Sequence, residues 1–216
     1  MQHQPIISTQ NYTALPDSKV LQRLCKALAV LDAINSPDVE YRYHTYDAAW
    51  DQGEEFFEMN DGEGDQMQVL FREDGCAING YADGLEQPDK ARLTRGLPEV
   101  FDEFIFGEPV SSIGTTFCLW FTSRYGWQTG LLENEEDGSE DLLYIFDDQP
   151  QTYVDWATEY FDEDETKQAI NPDTVARIYQ GEVLTKGMVL SIVDKVEDWL
   201  QLESDLQVIG YPYDFS

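Results

Sequence analysis

Most of the residues in this chain that could do chemistry are carboxylates. The exception is His44, set in the string YRYHTYD among Tyr41, Tyr43, Tyr46 and Asp47. An imidazole that titrates near neutral pH beside hydroxyls and a carboxylate is a candidate acid–base or ligand-binding group. The same surroundings describe a strand histidine whose ring is satisfied by a neighbour, and this is the favoured reading. Trp50, farther along the same segment, joins His44 as a candidate ligand-binding side chain. Asp61, Glu63 and Asp65 in NDGEGD have the alternate spacing that turns oxygen ligands toward one cation, so they are the candidate metal site. An EF-hand loop beginning at Asp61 would need Gly and Glu where this chain has Gln66 and Arg72, and a tight hairpin turn explains the segment more simply. Asp137, Ser139 and Asp141 fail the same test at Leu142.

Other routes to catalysis are missing from the text. The histidines are His3 and His44, no two cysteines form a CxxC, and neither a phosphate-cradling nor a dinucleotide-binding glycine motif nor a GxSxG is present. No catalytic residue and no cofactor is assigned. A hydrolase with two facing carboxyls in an aromatic-lined cleft is the alternative, but 43 acidic residues make that signal unspecific.

The acids carry more information as a field. With 43 Asp and Glu against 13 Lys and Arg, the formal net charge is -30. Such a surface repels phosphate backbones and anionic lipid heads and attracts basic proteins. Nucleic acid and membrane are therefore excluded as expected partners, and a basic protein is favoured. Adaptation to concentrated salt produces similar acidity, in which case the charge says nothing about partners. The densest run is DEDE at Asp162, Glu163, Asp164 and Glu165, with Asp155 and Glu159 one turn earlier. Negative charge closing a helix opposes its macrodipole; a solvated, screened helix end is the favoured reading, and the functional one makes these six residues the candidate partner-binding patch.

The elements that would position these residues follow from periodicity. Leu21, Leu24, Leu28 and Leu31 recur at helical spacing, predicting an amphipathic helix from Asp17 to Asn35 with Lys19, Arg23 and Lys26 on one flank, where intramolecular carboxylates are expected to meet them. Short aromatic and β-branched runs follow, predicting strands at Glu40 to Tyr46, Glu54 to Met59, Gln66 to Glu73 and Cys76 to Tyr81. The alternation of Met67, Val69 and Phe71 with Gln66, Gln68 and Arg72 describes a half-buried antiparallel strand. A short helix after Pro98, strands at Thr115 to Thr122 and Leu142 to Phe146 with apolar residues on both faces, expected to sit centrally with cover on both sides, and helices around Tyr153 to Phe161, Asn171 to Gln180 and Met188 to Leu202 complete the reading. Nothing alternates as βαβ. The expected fold is α+β: an antiparallel or mixed sheet from a central meander, packed with an N-terminal helix and several C-terminal helices.

Residues 1–16 read as an extended segment and 17–216 as one domain, since 42% apolar and 13% aromatic residues supply a sizeable core. The absence of a signal-like start and the three scattered cysteines, Cys25, Cys76 and Cys118, lead to the expectation of a cytoplasmic protein with reduced thiols.

The strings WDQGEEFFEMNDGEGDQMQVLF, DGCAINGYADG, GLPEVFDEFI and TTFCLWF, between Trp50 and Trp127, resemble a group of uncharacterised bacterial proteins that share a Trp, an NG-GD hairpin, an aromatic strand and an LP-started helix. In general character the chain is also similar to acidic α+β immunity proteins that bacteria pair with secreted toxins. The resemblance implies a bacterial interaction protein, and with the charge and the missing catalytic motifs the expectation is a non-catalytic module for a basic partner such as a nuclease toxin.

Overall fold

A computed structural model describes residues 6–134, 136–161 and 170–216. Strands β1 (His44–Asp51), β2 (Glu54–Asn60), β3 (Gln66–Arg72), β4 (Gly75–Tyr81), β5 (Phe117–Thr122) and β6 (Gly126–Gln128) lie in sequence order, each antiparallel to the next. The fold is α+β with a meander sheet, and the main sheet is wholly antiparallel. A separate parallel pair, β7 (Leu184–Thr185) with β8 (Tyr213–Asp214), ties the C-terminus down. The centre of the sheet is tightly built: a Cβ on Gly75 would meet the Phe121 carbonyl oxygen at 2.0 Å, and one on Gly80 the Phe117 ring at 2.1 Å.

Period two predicts the strand at Gln66 to Glu73 to be wet on one face, yet both faces of the sheet are covered there, as expected at Thr115 to Thr122. Phe57, Met67, Val69, Ile78 and Leu119 point into the larger core, which also takes in α1 (Ser18–Asn35) and the C-terminal helices. The opposite face sends Phe56, Leu70, Ala77, Cys118 and Trp120 into a second core closed by Leu93, Phe101, Ile105 and Val110. Those side chains come from α2 (Lys90–Leu93), α3 (Asp102–Phe106), α4 (Val110–Ile113) and the turn before α3. Gln68, read as solvent-facing, is therefore fully buried.

Helix α1 starts where Asp17 accepts hydrogen bonds from the Lys19 and Val20 N–H groups at 3.0 Å, an N-cap that satisfies two donors. The expected stripe widens to the whole circumference, with every residue from Ala27 to Ile34 buried between the sheet and other helices. On its open flank Lys26 meets Glu55 at 2.6 Å and Arg23 meets Asp148 at 3.7 Å. The remaining elements are α5 (Ser139–Leu143), α6 (Pro150–Tyr160), α7 (Pro172–Tyr179), α8 (Lys186–Val189) and α9 (Trp199–Ile209). Among the described residues no helix is long and apolar enough to cross a membrane.

Four expectations are corrected. Residues 9–14 of the supposed extended segment form a 3-10 helix, and Thr9 is locked to the core by its hydroxyl donating to Asp137 at 2.5 Å and its N–H to Ser139 Oγ at 3.0 Å. Asp137 and Ser139 thus hold the N-terminus. The first strand starts at His44, because Asp38 accepts from the Glu40 N–H at 3.1 Å and turns Val39–Tyr41 into a 3-10 helix. Leu142–Phe146 is helical: a short apolar run suits a strand or a buried helix equally, and here Tyr144 alone faces outward. Met188–Leu202 is not one helix: it holds the end of α8, which Thr185 caps, a turn-rich stretch over 190–198, and the start of α9, where Asp198 accepts from the Leu200 and Gln201 N–H groups.

Cys25, Cys76 and Cys118 are free and buried, and burial raises all three thiols, Cys76 and Cys118 to about 12. The thiolate is the reactive form. A colorimetric disulfide reagent is expected to label almost nothing in the native protein at pH 8 and three thiols per chain in denaturant. Fast labelling of native protein would contradict this burial.

Candidate functional site

His44 opens β1, and its side chain enters the larger core, 1% exposed. The partner that receives it is Asp32, a lone carboxylate in the buried stretch of α1 and 0% exposed. Asp32 Oδ2 accepts from the His44 backbone N–H at 2.8 Å and lies 3.0 Å from Nδ1, while Oδ1 accepts from the Tyr153 hydroxyl at 3.0 Å. Asn35 Nδ2 donates to the same hydroxyl at 3.2 Å. Three elements, α1, β1 and α6, are thereby joined through one carboxylate. Buried polar groups that are this fully used specify packing.

Around that knot lies an aromatic cluster made by the spacing of α6. Tyr153, Trp156 and Tyr160 fall on one helical stripe, with Phe161 just beyond. His44 and Tyr43 each sit 4.9 Å from the Trp156 ring, and Trp156 stacks on Tyr160 at 5.1 Å and 16°. Tyr43 meets Tyr160 edge-on at 5.3 Å. These rings run from the core outward: Trp156 is half-buried, Tyr160 is 41% exposed, and Tyr41, thrown out by the 3-10 turn, is 69% exposed.

Where the rings surface they line a groove of about 520 Å³ with Glu40, Arg42, Thr45, Glu58 and Asp61. Arg42 is committed to Asp205 at 2.6 Å and donates to the Ser36 and Pro37 carbonyls. The groove is electrically negative. Tyr43 is pushed well up, first by burial and then by Tyr144, Asp61 and Asp65, and Tyr160 is raised by burial and then by Asp32, Asp61 and Glu63. Both tyrosines therefore stay neutral phenols, whose ring faces attract cations.

No protein-family model, no curated protein and no solved structure matches the chain. What the site does must come from its geometry.

Of the hairpin acids Asp61 reaches this groove, but as a turn residue. Asp61 Oδ1 accepts from the N–H groups of Glu63, Gly64 and Asp65 at 2.8 to 2.9 Å, and Asp65 accepts from Asp83 N–H at 2.7 Å. Among the described residues no three His, Cys, Asp or Glu side chains converge as a metal site requires, so the ion reading of Asp61, Glu63 and Asp65 gives way to the hairpin. Trp50 separates from His44. An irregularity between Asp47 and Asp51 turns the strand, so Trp50 stacks on Phe56 of the second face at 4.3 Å while His44 faces the first. Both border a second groove with Asp47, Glu58 and Pro109, but the His44 residue is 1% exposed with its ring turned to Asp32, whereas Trp50 is 47% exposed. Asp155 accepts from Gln151 on the open side of α6, and Glu159, also exposed, adds to the burial that pushes Tyr144 up to about 12. Asp162, Glu163, Asp164 and Glu165 lie outside the described residues.

Sequence reasoning passed over Asp32, Glu58 and Gln68. A signal existed for the first, since a carboxylate inside the run ALAVLDAI must be buried with partners or break the helix face. Glu58 and Gln68 looked like the wet positions of half-buried strands, and only the second core shows otherwise.

Proposed function

We propose that the protein is a non-catalytic binding module for a basic protein, and that the groove between the β1 entry, the β2–β3 hairpin and the end of α6 is where the partner docks. One observation carries this reading: exposed Tyr41 and Tyr160, with Tyr43 behind them, open beside Glu40, Glu58 and Asp61, while the groove's cation, Arg42, is already held by Asp205. Exposed aromatics beside unmatched carboxylates suit a lysine- or arginine-rich surface, with charge guiding encounter and aromatic contact supplying affinity. A nuclease toxin, which must itself hold nucleic acid, is one such basic partner, and that reading belongs with the resemblance to immunity proteins.

The hydrolase alternative needs two facing carboxyls free to act. In this groove Glu58 is accompanied by Asp61, whose Oδ1 is occupied by three hairpin amides, and by the exposed Glu40, so binding is the reading we favour for it.

The test is affinity capture from the native lysate at low and moderate salt, with the wild type and Tyr41→Ser/Tyr160→Ser side by side. A basic protein retained by the wild type at moderate salt and lost from the double variant is the expected result. Equal capture by both would remove the groove from the reading, and no specific basic protein would remove the reading itself.

A further inference from the structure

Across the second face of the sheet, the register sets Thr45, Glu58, Gln68 and Asn79 in one row over four strands. The polar atoms of Asn79, Gln68 and Glu58 form a chain with a direction. Asn79 Nδ2 donates to the Gly114 carbonyl at 3.0 Å, which fixes the orientation of that amide. Its Oδ1 accepts from the Thr115 hydroxyl at 2.7 Å, and Nδ2 also donates to Gln68 Oε1 at 3.0 Å. Gln68 must then present its NH2 to the other side, toward Glu58. Gln68 is 0% exposed, and its Nε2 makes no hydrogen bond of good geometry among the described residues. An unpaired buried donor costs about 1–3 kcal/mol unless something answers it.

Glu58 stands at the end of this chain, between the buried amide and the open groove. Burial is the main influence on its carboxyl and raises the pKa, and the Gln68 amide opposes it by favouring the ionised form. No described cation forms an ion pair with it. Inside is a donor aimed at an acceptor, and outside is a groove with Thr45, Tyr41, Tyr43 and Tyr160.

We propose that Glu58 is the anchor of the groove and takes a guanidinium group, that of an arginine on the basic partner, flanked by the tyrosine rings. The inference rests on the binding reading above and adds the chemistry it selects. An arginine fork donates two parallel hydrogen bonds to one carboxylate and stacks on aromatic faces, whereas a lysine ammonium does neither as well. When the guanidinium docks, Glu58 is held ionised, and its carboxylate can accept from Gln68 Nε2 on one side and from the ligand on the other.

A pH signature follows. The pKa of Glu58 is raised in the free protein and lowered by a bound cation, so binding releases a proton and affinity rises as pH climbs through the free-state value. The other titratable groups lining this groove are Glu40, Asp61, Arg42 and the three tyrosines, and Arg42, His44, Tyr46, Asp47 and Asp205 line the contiguous one. Replacing Glu58 isolates its part from theirs.

The experiment titrates labelled protein with capped arginine amide, capped lysine amide and a short arginine-rich peptide, read by amide and side-chain NMR from pH 4.5 to 8. Expected are shifts at Thr45, Glu58 and the Gln68 side-chain NH2, weaker shifts with capped lysine, and roughly tenfold weaker arginine binding in Glu58→Gln with its pH dependence flattened. The unbound Glu58→Gln spectrum reports whether the variant is folded, and the wild-type comparison of arginine with lysine stands without it. Equal response to arginine and lysine, or arginine shifts unchanged by Glu58→Gln, would overturn the anchor. If the peptide still moves the Tyr41 and Tyr160 signals in that case, the binding reading survives; if it leaves that face untouched, both fall.

Discussion

Asp32→Ala is expected to lower stability by about 3–5 kcal/mol, because it deprives the His44 N–H, the His44 ring and the Tyr153 hydroxyl of one shared acceptor in a site without solvent. For a domain whose total stability is on the order of 5–15 kcal/mol this is a large share, corresponding to a melting temperature lower by roughly 10 °C. Chemical denaturation measures it directly. Tyr153→Phe removes one donor and is expected to cost about 1 kcal/mol. If Asp32→Ala unfolded within about 0.5 kcal/mol of the wild type, well inside the surface-substitution range, the knot would not be holding α1, β1 and α6 together. The prediction also bears on function. The same knot seats Tyr43 and the α6 aromatics, so a loosened knot would blur the groove as well as weaken the fold.

The second large effect concerns binding, measured on the partner captured by the wild type. Tyr160→Ala is expected to weaken it by about 2 kcal/mol, near thirtyfold, mostly through faster dissociation, as for an aromatic anchor at an interface centre. Glu40→Lys, at the exposed lip, is expected to act differently. It should slow association several-fold at low salt and have little effect at high salt, since a rim charge steers encounter and is screened beyond roughly 8 Å at physiological ionic strength. Surface plasmon resonance at two salt concentrations separates the two. The assignment of aromatics to affinity and charge to encounter would be wrong if both variants changed the same rate constant.

Much of this architecture is legible in the text. The N-cap Asp17 and the leucine spacing mark α1, and the turns at Asn60–Asp65 and Glu73–Asp74 separate strands whose neighbours in sequence become neighbours in the sheet. Local signals suffice there because a meander needs no long-range choice of partner. They fail at LLYIF, where a five-residue apolar run has no period to read, and at Met188–Leu202, where Asp198 caps a new helix inside an apolar stretch.

The candidate site divides the same way. Composition determined the sign of the field: a chain of net charge -30 attracts cationic surfaces and repels phosphate. Tertiary structure decided where that field is useful. It buried His44 on Asp32, placed Trp50 on the other face through a one-strand irregularity, and turned Asp61 onto its own hairpin backbone. It also covered the second face of the sheet, converting Glu58 and Gln68 from apparent surface residues into the end of a buried polar chain. The physical reason is that periodicity reports which side chains share a face, whereas desolvation depends on what packs over that face, and here the cover comes from residues 93–110, far along the chain.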